Sequence, residues 1–139
     1  MRFREQRLWD RMSEHVPRTV RLERIENGIG DGLPDVLACY LGIVTWCELK
    51  ALAEPPVRES TPLLGKKKGL AQGQLNWHFD WAKHGGRSCV IVGVGSREVF
   101  LIDGLLIEAI NEMTHESFRT HSKARDWATV AAYLMRSKP

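Results

Sequence analysis

The segment GLPDVLACYLGIVTWCELK, residues 32–50, constrains the fold more than any other part of the chain. It contains two runs of β-branched, aromatic and other apolar residues, which are typical of strands, and Leu41-Gly42 is the only turn signal between them. This pattern predicts a β-hairpin. In any loop that is symmetric about Leu41-Gly42, Tyr40 faces Ile43 across the two antiparallel strands.

The predicted hairpin brings three charged side chains to one face of the sheet. The same register places Asp35 opposite Glu48, and Lys50 follows on the same face because side chains alternate along a strand. Directly opposed residues have Cβ atoms roughly 4.5–5.5 Å apart, so the two carboxylates repel each other unless a cation neutralises them. The residues alone fit an ion-pair network at a strand end. They fit equally a site for Mg²⁺ and phosphate, since Mg²⁺ is often bound by one or two carboxylates with phosphate oxygens and water.

A second feature is a polar residue within an apolar helix face. Leu70, Gln74, Trp77 and Trp81 recur with helical spacing and form one stripe of a predicted helix over residues 70–84. A buried glutamine amide needs hydrogen-bond partners. Backbone groups would satisfy it in an ordinary core, whereas water, phosphate or a carboxylate would satisfy it at a reactive site on the sheet.

The remaining segments predict a single mixed α/β domain over residues 1–139. Pro17 ends an amphipathic helix, and segments rich in glycine and proline separate the other elements. In chain order, the predicted elements outside the hairpin are a helix over 4–15, a strand around 20–25, a loop over 53–69, a helix over 70–84, strands over 88–95 and 97–103, and helices over 105–113 and 123–136.

Composition is that of an ordinary soluble domain. The chain is 43% hydrophobic and 27% charged, its three cysteines lie singly in apolar stretches, and no apolar run is long enough for a membrane helix. We therefore expect a reducing, cytoplasmic environment and no membrane partner. The net charge of +3 does not by itself indicate nucleic acid. The cluster of Lys66, Lys67 and Lys68 is typical either of a solvated face or of a surface that contacts phosphates.

These motifs together resemble the PD-(D/E)XK nuclease superfamily, in particular its small virus-type replication-repair (VRR-NUC) branch and related phage proteins. The residues that carry the resemblance are Gly32-Leu33-Pro34-Asp35, Glu48-Leu49-Lys50, Leu70 with Gln74 and Trp77, and the stretch Arg24-Ile25-Glu26-Asn27. The likeness covers roughly residues 20–95. It implies a restriction-endonuclease-like core, in which helices flank a mixed central four-stranded β-sheet.

The resemblance also implies an activity, namely hydrolysis of DNA phosphodiester bonds by an endonuclease that depends on Mg²⁺ or Mn²⁺. Some relatives cut branched DNA as dimers, so branched or junction DNA and a homodimer are among the expectations, as is a phage-encoded protein in a bacterial host. The alternative is a non-catalytic DNA-binding or interaction module that retains the nuclease fold. An intact set of Asp35, Glu48 and Lys50 favours the enzyme, because a binding module does not need opposed carboxylates.

The family roles transfer residue by residue. Asp35 and Glu48 would hold the metal ion, together with the backbone carbonyl of Leu49. Lys50 would orient or deprotonate the attacking water, or stabilise the pentavalent phosphate. Gln74 would help to position the water or Lys50.

Family members often add a further carboxylate ligand, for which the sequence offers two candidates. Glu26 lies in the matching Arg-Ile-Glu-Asn stretch and is slightly preferred, whereas Glu5 lies on the apolar stripe of Leu8 and Met12 in the first helix. The loop over residues 53–69 is longer than the usual family connection. The DNA-binding role expected of Lys66, Lys67 and Lys68 therefore rests on their charge alone.

Overall fold

The protein is described by a computed structural model over residues 3–25 and 32–136, with Phe3 described for its backbone alone. A mixed sheet lies between two layers of helices, as the order of the predicted elements indicated. The elements are α1 Phe3–His15, β1 Arg21–Arg24, β2 Val36–Tyr40, β3 Ile43–Leu52, α2 Gly65–Lys68, α3 Gln72–Lys83, β4 Ser88–Val94, β5 Glu98–Asp103, a 3₁₀ helix Gly104–Glu112, α4 His115–His121 and α5 Trp127–Met135.

The strands form one sheet in their chain order, from β1 to β5. All neighbouring strands are antiparallel except β3 and β4, which are parallel. A parallel pair needs a long crossover, and the segment with α2 and α3 supplies it. The sheet has five strands, one more than the four-stranded core that the family resemblance implied.

The hairpin of β2 and β3 has the predicted register, with Tyr40 paired to Ile43 and Val36 paired to Cys47. Leu41 and Gly42 both have positive φ, 46° and 84°, as in the type I′ turn that matches the twist of a two-residue hairpin. Leu41 is 86% exposed. Its side chain therefore contributes little packing, while its backbone occupies a region that disfavours residues with a Cβ.

Each face of the sheet is covered by its own hydrophobic core. Helices α1 and α5 cover one face, and α3, the 3₁₀ helix and α4 cover the other. All seven residues of β4 are buried, as expected for a central strand covered on both sides. In β3, Cys47 and Leu49 belong to the α1 core, so Glu48 between them faces α3. A carboxylate thus lies within a continuous run of buried residues.

The C-terminal part differs from the sequence-based prediction in detail. The predicted helix over 105–113 is a 3₁₀ helix that begins where the Asp103 side chain accepts a hydrogen bond from the Leu105 N–H. The predicted helix over 123–136 is shorter and begins after the cap Asp126. Helix α4 was not predicted. It begins after the cap Thr114, and Phe118 is its buried residue. One buried apolar residue does not produce the helical periodicity from which a helix is predicted. Within the described ranges, no helix has the length and hydrophobicity needed to cross a bilayer.

The type I′ turn predicts that Leu41→Asn stabilises the protein by about 1 kcal/mol, since asparagine tolerates positive φ better than leucine does. The free energy of unfolding, measured by denaturant titration, checks the expectation. Leu41→Ala is the matched control. It removes the same exposed side chain but keeps the strained backbone, so its stability should stay near wild type. An Asn variant no more stable than the Ala variant would contradict the role of the turn.

Candidate active site

The carboxyl groups of Asp35 and Glu48 meet at the end of the hairpin. Asp35 directly precedes β2, and its Oδ2 accepts a hydrogen bond of 2.9 Å from the Leu49 N–H. This bond ties the Asp35 side chain to the strand that carries Glu48. The two carboxyl groups are also within hydrogen-bonding reach of each other, so the predicted register has brought them together.

Glu48 is the most strongly perturbed acid of the site. Its side chain is buried at 2% exposure, and its pKa rises from 4.5 to about 10. Burial is the largest cause, followed by the hydrogen bond to Asp35 and the charge of Asp35, while Lys50 acts in the opposite direction. Glu48 Oε1 has no hydrogen-bond partner among the described residues. A buried carboxyl group with an unpartnered oxygen is a place where a cation would be stabilising.

Gln74 contacts the other oxygen of the same carboxyl group. Its Nε2 donates to Glu48 Oε2 at 3.2 Å, and its Oε1 accepts from the Ala71 N–H at 2.9 Å. The second bond belongs to the N-terminal cap of α3, so the start of the helix fixes the direction in which the amide points. The polar residue in the apolar stripe therefore has a carboxylate partner, one of the partners considered from the sequence.

A contact between two backbones holds Asp35 close to α3. Gly32 has a φ of +91°, and a Cβ at this position would lie 2.3 Å from the carbonyl oxygen of Gly73. No other residue fits there without a shift of the backbone. Because Pro34 is buried as well, the Gly-x-Pro-Asp turn packs directly on the helix that carries Gln74.

A cavity of about 440 Å³ lies close to Glu48, because its lining includes Lys50 and Glu5, whose charges act on the Glu48 pKa. Side chains from three separate elements line it, namely Arg4 and Glu5 from α1, Lys50 from β3 and Lys68 from α2. The structure thus brings Lys68, one of the three clustered lysines, to the same cavity as Lys50, a placement that no sequence pattern predicted. Lys66 and Lys67 are exposed on the same short helix.

Of the two candidates for an additional carboxylate ligand, the structure describes only Glu5. Glu26, slightly preferred from the sequence, lies outside the described residues. Glu5 lines the cavity next to Lys50, and its charge is among the causes that raise the pKa of Glu48. Glu5 is therefore close enough to act on the buried carboxyl group.

The donor set fits a hard divalent cation. Over residues 3–25 and 32–136, no group of three or more His, Cys, Asp or Glu side chains is arranged to hold a metal ion. Asp35 and Glu48 offer two carboxylates beside an open cavity. This fits Mg²⁺, which keeps several waters and is commonly bound by one or two carboxylates plus phosphate oxygens.

His78, a buried histidine near Asp35, was not singled out from the sequence. His78 is fully buried one turn after Gln74, and its Nδ1 lies 2.8 Å from the Ser88 hydroxyl. Burial lowers its pKa to about 4, although the nearby charge of Asp35 acts in the opposite direction. The ring is therefore neutral beneath the carboxyl pair. The helical spacing from Gln74 was the only signal in the sequence that could have indicated this position.

Comparisons with known proteins extend to structure but not to sequence. No family model and no curated protein matches the chain. The structure is similar to that of Hjc, a Holliday junction resolvase from the archaeal hyperthermophile Archaeoglobus fulgidus, with a TM-score of 0.59 and 12% sequence identity over 94% of this chain and 97% of that chain. The chain has the PD-(D/E)XK nuclease fold. At this identity the likeness concerns the fold alone, and membership of the virus-type branch stays a prediction.

The raised pKa of Glu48 predicts a specific pH dependence of stability without metal. The folded state binds a proton between pH 4.5 and about 10 that the unfolded state releases, so stability falls as the pH rises through this window. The slope is at most about 1.4 kcal/mol per pH unit. The free energy of unfolding, measured in EDTA at pH 5, 7 and 9, should therefore fall less with rising pH for Glu48→Gln than for wild type.

Glu54→Gln is the matched control for this experiment, because Glu54 is an exposed carboxylate that lines the cavity with Lys50. Its pH dependence should follow wild type. Equal slopes for wild type and Glu48→Gln would show that Glu48 is ionised in the folded protein and that its carboxyl group is well solvated.

Proposed function

We propose that the protein is a metal-dependent DNA endonuclease that hydrolyses phosphodiester bonds. One observation carries the proposal: the buried carboxyl group of Glu48 lies against that of Asp35, and Lys50, which lines the neighbouring cavity, is close enough to act on the Glu48 pKa. The pair lowers stability in its charged form and would be relieved by a divalent cation. A module that only binds DNA would not need it, and the fold shared with a resolvase supports the nuclease assignment.

Asp35 and Glu48 would hold the metal ion, with the Leu49 carbonyl as a third ligand and Glu5 as the further carboxylate. When bound, Mg²⁺ or Mn²⁺ would supply an activated water and neutralise charge on the phosphate. The free Glu48 Oε1 is available for such a ligand role. Gln74 keeps the other oxygen of Glu48 in place from the N-terminal turn of α3, so it acts as a positioning residue for the carboxyl group.

Lys50 is the residue that would act on the reacting phosphate. Its ammonium group is a compact charge on a flexible stem, and it lies in the cavity with Glu5 and Lys68. From there it would orient the attacking water or stabilise the charge that grows on the phosphate in the transition state. Lys68 adds a second cation to the same cavity, and Lys66 and Lys67 extend positive charge along the exposed side of α2. We assign all three lysines to contacts with DNA phosphates.

The proposed substrate class is DNA with a branch or junction. This part of the proposal rests on the likeness to a Holliday junction resolvase and on the motif resemblance, which also suggests the virus-type branch and a homodimer. The cavity is open and lined by the cations Arg4, Lys50 and Lys68, and such a surface suits a polyanionic backbone. Cleavage assays with single-stranded, duplex, flapped and four-way-junction DNA in Mg²⁺ or Mn²⁺ identify the preferred structure.

The role of Lys50 predicts a separation of cleavage from binding. Lys50→Ala should lower single-turnover cleavage by about 100-fold or more, because a contact made in the transition state is lost. DNA affinity measured in Ca²⁺ should fall little, since one phosphate contact among several is removed. Lys50→Arg should recover only part of the rate, because the guanidinium keeps the charge but not the compact geometry.

Two outcomes of the Lys50 experiment would contradict the proposal. Cleavage by Lys50→Ala at a near wild-type rate would make the lysine structural. Equal losses of cleavage and affinity would make it a binding residue and favour the non-catalytic module. Lys83→Ala is a suitable control, because Lys83 is exposed at the C-terminal end of α3, outside the cavity that contains Lys50.

The metal assignment predicts that Asp35→Asn weakens Mn²⁺ binding, because one of two carboxylate ligands is lost. Isothermal titration calorimetry of the DNA-free protein measures the effect, with Glu54→Gln as a control that keeps both proposed ligands. Asp35→Asn should also be more stable than wild type in EDTA at high pH, where the carboxyl pair repels. Unchanged Mn²⁺ affinity in Asp35→Asn would place the metal elsewhere.

A further inference from the structure

A second cluster of positive charge lies outside the candidate active site. Arg11 on α1, Arg97 in the turn between β4 and β5, and Arg125 just before α5 line a common cavity of about 120 Å³. Two carboxylates, Glu98 and Asp126, line it as well. Whether the cavity can take an anion depends on what those carboxylates already bind.

Both carboxylates are engaged by other groups. Glu98 Oε1 lies 2.9 Å from His115 Nε2, and its Oε2 lies 4.0 Å from Arg119. Asp126 accepts hydrogen bonds from the backbone and the hydroxyl of Thr129, at 2.8 and 2.7 Å, as the cap of α5. These bonds lower the pKa of Asp126, so its carboxylate stays ionised while its Oδ1 is occupied within the helix cap.

Two of the arginines contact neutral groups instead. Arg11 donates from both Nη atoms to the Gly95 carbonyl at 3.2 Å, and the Arg125 guanidinium lies 5.1 Å from the centre of the Phe100 ring. Among the described residues, no carboxylate forms an ion pair with Arg11, Arg97 or Arg125. Three guanidinium groups therefore line one cavity with two carboxylates, so positive charge is in excess there.

The arginine cluster adjoins the candidate active site through α1 and through the sheet. Arg4 lines the first cavity and Arg11 the second, and seven residues of helix separate them, or about 10 Å. In the sheet, Ala51, which lines the first cavity, pairs with Gly93 of β4. Arg11 lies close to this glycine, since a Cβ built on Gly93 would be 3.5 Å from Arg11 Nη2. Adjacent strands are about 4.8 Å apart, so the two cavities are neighbours along one edge.

We propose that Arg11, Arg97 and Arg125 form a second phosphate-contact site, which holds the DNA backbone a few nucleotides from the scissile bond. The inference rests on the proposed nuclease function. A DNA strand carries one phosphate per ~3.4 Å of helix axis, so the separation of about 10 Å between Arg4 and Arg11 along α1 corresponds to about three nucleotides. Arginine binds phosphate oxygens through two parallel N–H groups, and such contacts fix the position of DNA without reading its sequence.

The test compares the salt dependence of DNA binding in Ca²⁺ for wild type and the double variant Arg97→Ala/Arg125→Ala. Arg11 is kept, because its bonds to Gly95 hold the turn. Each lost duplex contact should reduce the slope of log K against log salt by about 0.9, or about 1.8 for two contacts. Affinity should fall to a similar extent on duplexes of unrelated sequence. If the double variant fails to fold, the single variant Arg97→Ala replaces it, because Arg97 is exposed and its loss should not disturb the fold. This variant should lower the slope by about 0.9.

Arg18→Ala/Lys83→Ala is the control of equal charge. It removes two exposed cations, one in the turn after α1 and one at the end of α3, and its slope should equal that of wild type. Equal slopes for the arginine variant and wild type, in a protein that cleaves DNA, would overturn this inference alone. A slope loss confined to the arginine variant, in a protein that does not cleave with Mg²⁺ or Mn²⁺, would overturn the nuclease proposal and leave the phosphate site. Absence of salt-dependent binding by wild type would overturn both.

Discussion

The register of β2 against β3 is the constraint on which the candidate site depends. A slip of one residue would turn every side chain of β3 to the opposite face. Glu48 would then enter the apolar core beneath α1, and Cys47 and Leu49 would leave it. Because both of these residues are fully buried beside Leu8 and Met12, the slip would be strongly unfavourable. The hydrophobic core under α1 therefore sets the position of the carboxyl pair on the other face.

The hairpin could be predicted because its information is local. The turn at Leu41-Gly42 and the alternation of side chains determine the register without reference to the rest of the chain. Gln74 was recognisable for the same reason, as a polar residue within a stripe of helical spacing. The prediction that Asp35 and Glu48 lie together thus needed only two short segments.

The rest of the site depends on contacts between residues distant in sequence. Glu5 and Lys68 reach the cavity from α1 and α2. The apolar stripe of α1 made Glu5 a candidate, but this pattern did not decide between Glu5 and Glu26. The short helix α2 lies in a segment with several prolines and glycines, where periodicity gives no signal. His78 occupied a helical position that suited a core residue as well as a site residue. Tertiary packing of the helices on the sheet, which local pattern does not encode, decided all three positions.

The backbone contact between Gly32 and Gly73 has a consequence for how the site meets its ligands. The turn that carries Asp35 and the helix that carries Gln74 touch main chain to main chain, with no side chain between them to change rotamer. In the proposed metal site the two elements would act as one unit, and the oxygen ligands would be preorganised before any ion arrives. Little conformational entropy remains to be lost on binding. Affinity for a cation is then set by competition with the proton of the carboxyl pair rather than by ordering of the chain.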